Sequence, residues 1–331
     1  MRAFIIDGYK KPLHEADVPE PTVGPNDVLI TVAAASINGL DERIRAGAFK
    51  AFLPYRLPLT LGHDVAGTVT RVGAQVRSFA PGDEVFARPR DHRIGTFAER
   101  IAVDQADVAR APSSIGVTEA ASLPLVALTA WQALVEKGGV TAGQKVLIHG
   151  GTGGVGTIAI QLAKHLGAQV ATTTSAKNTE FARSLGADVV IDYARQDFSA
   201  ELSGYDFVLD NLGGENLQKS LRVLRPGGKA VGLVGPPTPA FAQQIGVNPV
   251  LRLVMSALSR KVRKQAKRLG VSYEFLFMRA DGEQLRAIAE LVDAGAIRPV
   301  VGATFPFEEA PRALESLHAG GTRGKAVLLG A

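Results

Sequence analysis

Along the first third of the chain, apolar residues come in short runs broken by turn signals. The runs "AFII", "DVLITVAAASI", "VAGTVTRVG" and "DEVFA" are separated by "GPND", "APGD" and "DHRIG". Gly, Pro, Asn and Asp at these breaks favour turns, so residues 1–122 read as a twisted, partly closed barrel of short strands. From about residue 123 the rhythm changes. "KVLIH", "QVATTT", "DVVIDY", "YDFVLDNL" and "KAVGLVG" are compact apolar runs, and between them lie "GVGTIAIQLAKHLGA", "NTEFARSLGA" and "ENLQKSLRVLRPGG", whose apolar residues recur at three and four. Strand and helix in alternation predict a parallel sheet with right-handed crossovers. A strand "YEFLFM", a helix "DGEQLRAIAELVDAG" and a last strand "RGKAVLLG", returning to the first domain, complete the pattern. The expected fold class is α/β: a β-rich domain from residues 1–122 and 298–331, and a doubly wound parallel-sheet domain from 123–297.

One segment stands apart. Asn248 can cap a helix, Pro249 suits its first position and Gly270 ends it. Leu251, Val254, Met255, Leu258, Val262 and Leu269 are expected to form one apolar stripe, and six of the nine residues from Arg260 to Arg268 are basic. This helix alone accounts for the positive charge. The chain is +5 overall, with seven Lys or Arg and no acid between Asn248 and Gly270, so the remainder sums to +5 − 7 = −2. A general nucleic-acid surface is therefore not expected. A solvated basic face covering a cleft or a partner subunit is one reading of the helix, and a membrane-surface or anionic-ligand role is the other.

Composition narrows the chemistry. There is no Cys, so disulfides, Cys-ligated zinc and thiol catalysis are excluded. The six His show no metal-ligand spacing, and no G-x-S-x-G elbow is present. No apolar run reaches the ~18 residues of a membrane-spanning helix, and "MRAFIIDGYKKP" lacks the long apolar stretch of a signal peptide. The expectation is a cytoplasmic protein without stable membrane insertion.

The stretch "VLIHGGTGGVGTIAIQLAKHLGAQVATTTSAK" carries the clearest chemical signal. Gly151, Gly153 and Gly156 satisfy G-x-G-x-x-G between a strand and a helix. The first Gly permits the tight turn, the second lets backbone approach a pyrophosphate, and the third allows close helix–strand packing. The helix start, with Thr152, Gly154 and Val155, presents N–H groups to phosphate. An acid at the end of the second strand would bind the ribose 2′-OH of NAD. Here stand Thr174, Ser175 and Lys177, with no Asp or Glu from Gly167 to Asn178, which favours the 2′-phosphate of NADP(H).

These residues, with "INGLDERIRAG", "LPLTLGHDVAGTVTRVG", "VRSFAPGDEVFA", "GTFAERIAV", "EAASLPLVALTAWQAL", "ADVVIDY" and "GKAVLL", resemble the zinc-independent medium-chain dehydrogenase/reductases of the quinone oxidoreductase type. The resemblance runs along nearly the whole chain. It implies a GroES-like β-rich domain, a Rossmann domain with the cofactor in the cleft, and a homodimer. By the same resemblance Asn38 and Asp41 lie beside the nicotinamide, Thr129 touches it, and Leu212, Val234 and Gly235 meet it from strand ends. Tyr193 is placed near the adenosine ribose. In zinc-dependent relatives the positions of Asn38 and Leu125 resemble metal-ligand Cys residues, and His63 matches a ligand His. One His cannot fill a catalytic zinc site, so no metal is expected.

Without a Lewis acid, reduction of a C=C bond conjugated to a carbonyl, or of a quinone, is easier to support than reduction of an isolated ketone, because hydrogen-bond donors suffice for an enolate. Some relatives have tyrosines where Arg43 and Phe49 stand here; nearby Tyr55 is then either a substitute proton donor or an amphipathic ring packed at the cleft rim. Arg45 and Asp210 read as structural. The expected activity is NADPH-dependent reduction of a small quinone or enone, with no nucleic-acid partner. A ketone or aldehyde reductase and an NADPH-binding sensor remain alternatives.

Overall fold

The computed structural model describes residues 1–319 and 323–330. It divides into two compact units, Met1–Leu128 with Arg279–Ala331, and Thr129–Met278. The expected divisions at 122/123 and 297/298 are thus shifted to 128/129 and 278/279. The later shift has a packing cause. Helix Gly282–Asp293, expected with the second domain, lies instead against strand Val108–Arg110 and the turn Gln105–Asp107. A Cβ on Gly282 would stand 2.5 Å from the Val108 carbonyl oxygen, so only glycine permits this approach. The Asp293 carboxylate then accepts the Ser114 N–H at 2.9 Å.

In the first unit a seven-stranded sheet is built around the long strand Asp27–Ile37. The last strand, Lys325–Leu329, runs antiparallel to it with Ala326 opposite Ile37, so the chain end does return to this unit. Strand Asp64–Val72 lies on its other side, with Ser36 opposite Asp64, and strand Glu84–Ala87 follows, with Ala87 opposite Val65. Lys325, Asn38, Asp64 and Arg88 are therefore brought to one end of four adjacent strands. The core beneath is aliphatic and aromatic, with Phe4, Ile6, Ile30, Ile37, Leu61, Val65 and Phe97 almost fully buried. A smaller sheet of three strands includes Arg2–Ile6.

The second unit is a six-stranded parallel sheet: Lys145–Ile148, Gln169–Thr174, Val189–Asp192, Tyr205–Asp210, Leu224–Gly232 and Ser272–Phe275. Numbered in chain order, the strands stand 3-2-1-4-5-6. This order reverses between the first and fourth strands, and dinucleotides bind at the carboxyl ends beside such a reversal. One expectation fails locally. The helix starting at Gly214 stops at Val223, and "RPGG" is a bulge inside the following strand, whose register jumps from Leu224 to Lys229. Pro226 cannot continue a helix, and burial of Leu224 in the core already commits the chain to the sheet.

A buried polar chain ties the carboxyl ends of this sheet together. His149 meets Thr173 Oγ1 at 3.1 Å through Nδ1 and Ser220 Oγ at 2.9 Å through Nε2. Ser220 donates to Asp210 Oδ2 at 3.0 Å, and Asp210 Oδ1 accepts the N–H groups of Leu212 and Gly213 at 3.1 and 2.6 Å. Asp210 therefore holds a turn, as its sequence position suggests.

Burial pulls the His149 pKa below its ordinary value, against the pull of Asp210. The unfolded chain then binds a proton below about pH 6.5 that the folded chain refuses, so stability falls as pH is lowered through that value. Thermal melts between pH 7.5 and 5.5 should show a loss approaching about 1.4 kcal/mol per pH unit from this site at the acid end. His149→Gln should flatten that slope; an unchanged slope would assign it elsewhere.

Candidate functional site

In the first unit the buried charges form one network. Asp64 is fully buried. Its Oδ2 accepts Ser36 Oγ–H at 2.6 Å, Asn38 Nδ2–H at 2.8 Å and the Lys325 ammonium at 3.3 Å, while Oδ1 accepts the Leu125 N–H at 2.7 Å. Lys325 also donates to the Ile37 carbonyl at 2.8 Å and to Asn38 Oδ1. Its three acceptors match the three N–H donors of an ammonium. Burial pulls the Lys325 pKa down, and the Asp64 and Asp41 charges oppose that pull. Lys325 is absent from the sequence expectations. A lysine opening a strand gives no local signal of burial; only the pairing of Ala326 with Ile37 carries it inward.

Asn38 and Asp41, both expected at the reacting centre, lie in this network. Asp41 Oδ2 accepts the Asn38 N–H at 2.7 Å, fixing the start of helix Gly39–Arg45, and Oδ1 meets His63 Nδ1 at 2.5 Å. The Asn38 amide is engaged at both ends, its NH2 on Asp64 and the Ser36 carbonyl and its oxygen on Lys325. In this geometry the polar side-chain atoms of Asn38 and Asp41 are bonded within the protein. Arg45 pairs with Glu42 at 2.7 Å and reaches the Lys11 carbonyl, a structural role as expected.

In this unit the buried polar atoms without a hydrogen-bond partner among the described residues are His63 Nε2, Tyr55 Oη, Arg88 Nε and Thr96 Oγ1. The Tyr55 ring tilts against His92 at 5.5 Å, and its N–H donates to Tyr9 Oη at 2.9 Å. The segment bearing His92 is held by the buried Arg88, which donates to Asp91 at 2.6 Å and to the Pro89 carbonyl at 3.0 Å. Burial, reinforced by the Asp91 charge, raises the Tyr55 pKa well above its ordinary value. Tyr55 keeps its proton and can act as a hydrogen-bond donor.

A zinc ion does not fit this donor set. Both Asp64 oxygens are occupied, an ammonium bonds the network from within, and the Leu125 side chain is aliphatic. Among the described residues no three His, Cys, Asp or Glu side chains converge.

In the second unit the glycine loop has the shape its spacing predicts. Gly150 takes φ +61°, a Cβ on Gly151 would stand 2.1 Å from Thr172 Oγ1, and one on Gly156 would stand 2.2 Å from the Gly150 carbonyl. At Gly153 the nearest atom to such a Cβ would be 3.5 Å away. Packing therefore demands Gly151 and Gly156, whereas Gly153 leaves space at the start of helix Gly154–His165. No side chain among the described residues caps that helix, so the N–H groups of Gly154, Val155 and Gly156 suit a pyrophosphate. Thr152 Oγ1 meets Thr174 Oγ1 at 3.0 Å, and Asn178 Nδ2 reaches Ser175 Oγ at 3.3 Å, joining the loop to the end of the second strand. Lys177 is exposed there, and Tyr193, whose N–H donates to the Thr174 carbonyl, is 66% exposed. Asp192, opposite Thr174 in the ladder, turns its carboxylate to the Ala194 N–H and toward Arg195.

The structure also gathers Leu212, Gly213 and Val234, since a Cβ on Gly213 would lie 3.4 Å from the Val234 carbonyl. Tyr273 packs on Gly235 and donates to the Pro236 carbonyl at 3.0 Å, pinning this loop. Thr129 is buried in helix Pro124–Trp131. Sequence reasoning missed Asn211. Its amide donates to the His149 carbonyl at 2.8 Å beside Gly150, while its buried Oδ1 has no partner among the described residues.

Comparison with known proteins places this geometry. Residues 24–113 match the alcohol dehydrogenase GroES-like domain and residues 185–328 match the zinc-binding dehydrogenase domain. The mouse mitochondrial NAD(P)H oxidoreductase RTN4IP1 is 40% identical over 99% of this chain and 89% of its own length. The chloroplastic NADPH-dependent alkenal/one oxidoreductase of Arabidopsis thaliana is 33% identical over 95% of this chain and 75% of its own. The quinone oxidoreductase of Coxiella burnetii superposes with TM-score 0.86 at 31% identity, covering 100% of this chain and 99% of that one. The chain belongs to the quinone-oxidoreductase-like family of the medium-chain dehydrogenase/reductases. It is an NAD(P)H-dependent oxidoreductase of that type, with the GroES-like and Rossmann architecture expected of it.

Breaking a buried ion pair strands the remaining charge, which costs about 3–5 kcal/mol. Lys325→Met should lower stability by that order in urea unfolding, whereas Lys325→Met combined with Asp64→Asn should recover part of the loss. Equal melts for the wild type and the single variant would show that Asp64 does not depend on the ammonium.

Proposed function

We propose that this enzyme reduces quinones, or the C=C bond of α,β-unsaturated carbonyl compounds, at the expense of NADPH. The observation that carries the cofactor choice is the end of strand Gln169–Thr174. It presents Ser175 and Lys177, and the nearest carboxylate in the ladder, Asp192, is spent on its own turn. A hydroxyl and an ammonium complement a 2′-phosphate, while an acid would repel it. The phosphate bridge is assigned to the loop from Gly151 to Gly156, through the N–H groups of Thr152, Gly154, Val155 and Gly156, because those of Gly151 and Gly153 donate to the Thr173 and Gly150 carbonyls; the adenosine ribose is assigned to Tyr193, and the nicotinamide to Thr129, Leu212, Val234 and Gly235. Asn211 Oδ1 is an acceptor for a cofactor donor.

When bound, NADPH supplies a hydride, for which a conjugated enone or a quinone is a suitable acceptor. The protein's own part is electrostatic. In the first unit Tyr55 offers a phenol that keeps its proton and donates to the carbonyl oxygen as charge develops there. Asn38 and Asp41 act one step back, holding the start of helix Gly39–Arg45 and His63 in place. The relatives named for alkenal/one and quinone reduction support this acceptor class.

The test is NADPH oxidation with enones, their saturated ketone counterparts and quinones, with NADH as control. Turnover of enones or quinones but not saturated ketones is expected; the reverse preference would overturn the acceptor assignment. Lys177→Ala should raise KM for NADPH by roughly tenfold or more and leave KM for NADH unchanged, as for loss of a charge-assisted hydrogen bond. Equal use of both cofactors by the wild type would overturn the role of Ser175 and Lys177.

A further inference from the structure

Helix Pro249–Leu269 has two apolar faces, and only one of them is used by the fold. Met255, Ser259, Val262 and Ala266 are buried against helices Gly214–Val223 and Pro239–Gln244 and strand Ser272–Phe275. Asn248 caps the helix by accepting the Leu251 N–H at 3.0 Å, Gly270 ends it in the left-handed region, and Gln265 donates to the Gln218 carbonyl at 2.8 Å. The helix is thus fixed in rotation. Its outward face carries Val250, Leu253, Val254, Ala257 and Leu258, spaced i, i+3, i+4, i+7 and i+8. Val250, Leu253 and Leu258 are 71%, 72% and 60% exposed. The same face continues as Lys261, Lys264 and Arg268, flanked by Arg260 and Lys267, all five exposed. No salt bridge among the described residues involves these five cations, and the helix contains no acid.

We propose that this outward face docks on an anionic lipid bilayer surface. The aliphatic half enters the interface between headgroups and acyl chains, and the cationic half lies among the anionic headgroups. Both halves are needed to choose the partner. A polyanion in water would answer the cations but leave Val250, Leu253 and Leu258 without a partner. A second copy of the chain could cover the aliphatic residues, but outside this helix the chain sums to only −2, little to set against five cations. Anionic lipid answers both. Met255, Val262 and Ala266 stay in the core, so the helix need not leave the fold. The inference does not depend on the hydride chemistry.

The test is co-sedimentation of the full chain with vesicles of phosphatidylcholine alone and of phosphatidylcholine with one-third phosphatidylglycerol. Binding is expected on the anionic vesicles, weakening as salt rises, with little on phosphatidylcholine alone. Lys261→Glu with Lys264→Glu and Arg268→Glu should weaken binding by more than roughly tenfold. Leu253→Ser with Leu258→Ser should weaken it severalfold with the charge intact. All five positions are exposed, so melts should match the wild type, and NADPH oxidation with a soluble acceptor should be unchanged. Three outcomes overturn the proposal: no sedimentation of the wild type with anionic vesicles at low salt, a Leu253/Leu258 variant that binds as tightly as the wild type, or a dimer dissociated by that variant without any vesicle binding.

Discussion

A carboxylate taken out of water must find a partner for each of its lone pairs, and the first unit is organised around meeting that demand at Asp64. The residue is fully buried, and isolated in such a place its charge would cost more than the domain could sustain. Three segments supply the answer: Ser36 and Asn38 at the end of the long strand, Leu125 at the start of a helix, and Lys325 at the start of the last strand. The Lys325 contact spans 261 residues of sequence. Closing the sheet with the chain's final strand is therefore also what neutralises its buried charge, and neither is satisfied alone.

That arrangement constrains the chemistry nearby. By residue type Asn38 reads as a free amide donor, but both ends of its amide are used within the protein. Asp41 is likewise divided between a helix start and His63. The network is rigid because it is saturated, and a saturated network orients its neighbours without reacting. Tyr55 and His63 keep an unsatisfied polar atom each at its margin. The cationic group of the network is Lys325, a side chain of the chain itself rather than an exchangeable ion. For the proposed reaction, such an environment is one in which hydrogen bonds would stabilise charge developing in a conjugated carbonyl.

What could be read from the sequence follows from how local each feature is. The glycine loop, the Asn248 and Gly270 ends of the basic helix and the strand–helix alternation of the second unit are contiguous signals, and the structure repeats them. The face of the basic helix was not readable in the same way. The expected stripe included Val254 and Leu258, which are exposed, because apolar residues occupy two sides of the helix's first half and periodicity alone does not say which side the core takes. "RPGG" looked like a helix stop and is a bulge within a strand, decided by the burial of Leu224. Helix Gly282–Asp293 changed domain because Gly282 allows a close approach to Val108 that no spacing rule reveals.

The same distinction separates the two halves of the reaction. The proposed cofactor site joins the turn from Gly150 to Gly156 and the strand end at Thr174, Ser175 and Lys177, bonded to each other through Thr152 and Asn178. Parts this close in sequence can be recognised from residue types and spacing. Acceptor recognition has no such address. Its candidate groups are assembled from positions near 38, 55, 63, 91 and 325, and their availability depends on which bonds they make with one another. Asn38 and Lys325 show the effect in opposite directions: a residue expected to meet substrate is occupied, and a lysine with no local signal carries the central charge. A mutation that frees the Asn38 amide would therefore alter the unit's buried electrostatics before it altered any contact with substrate.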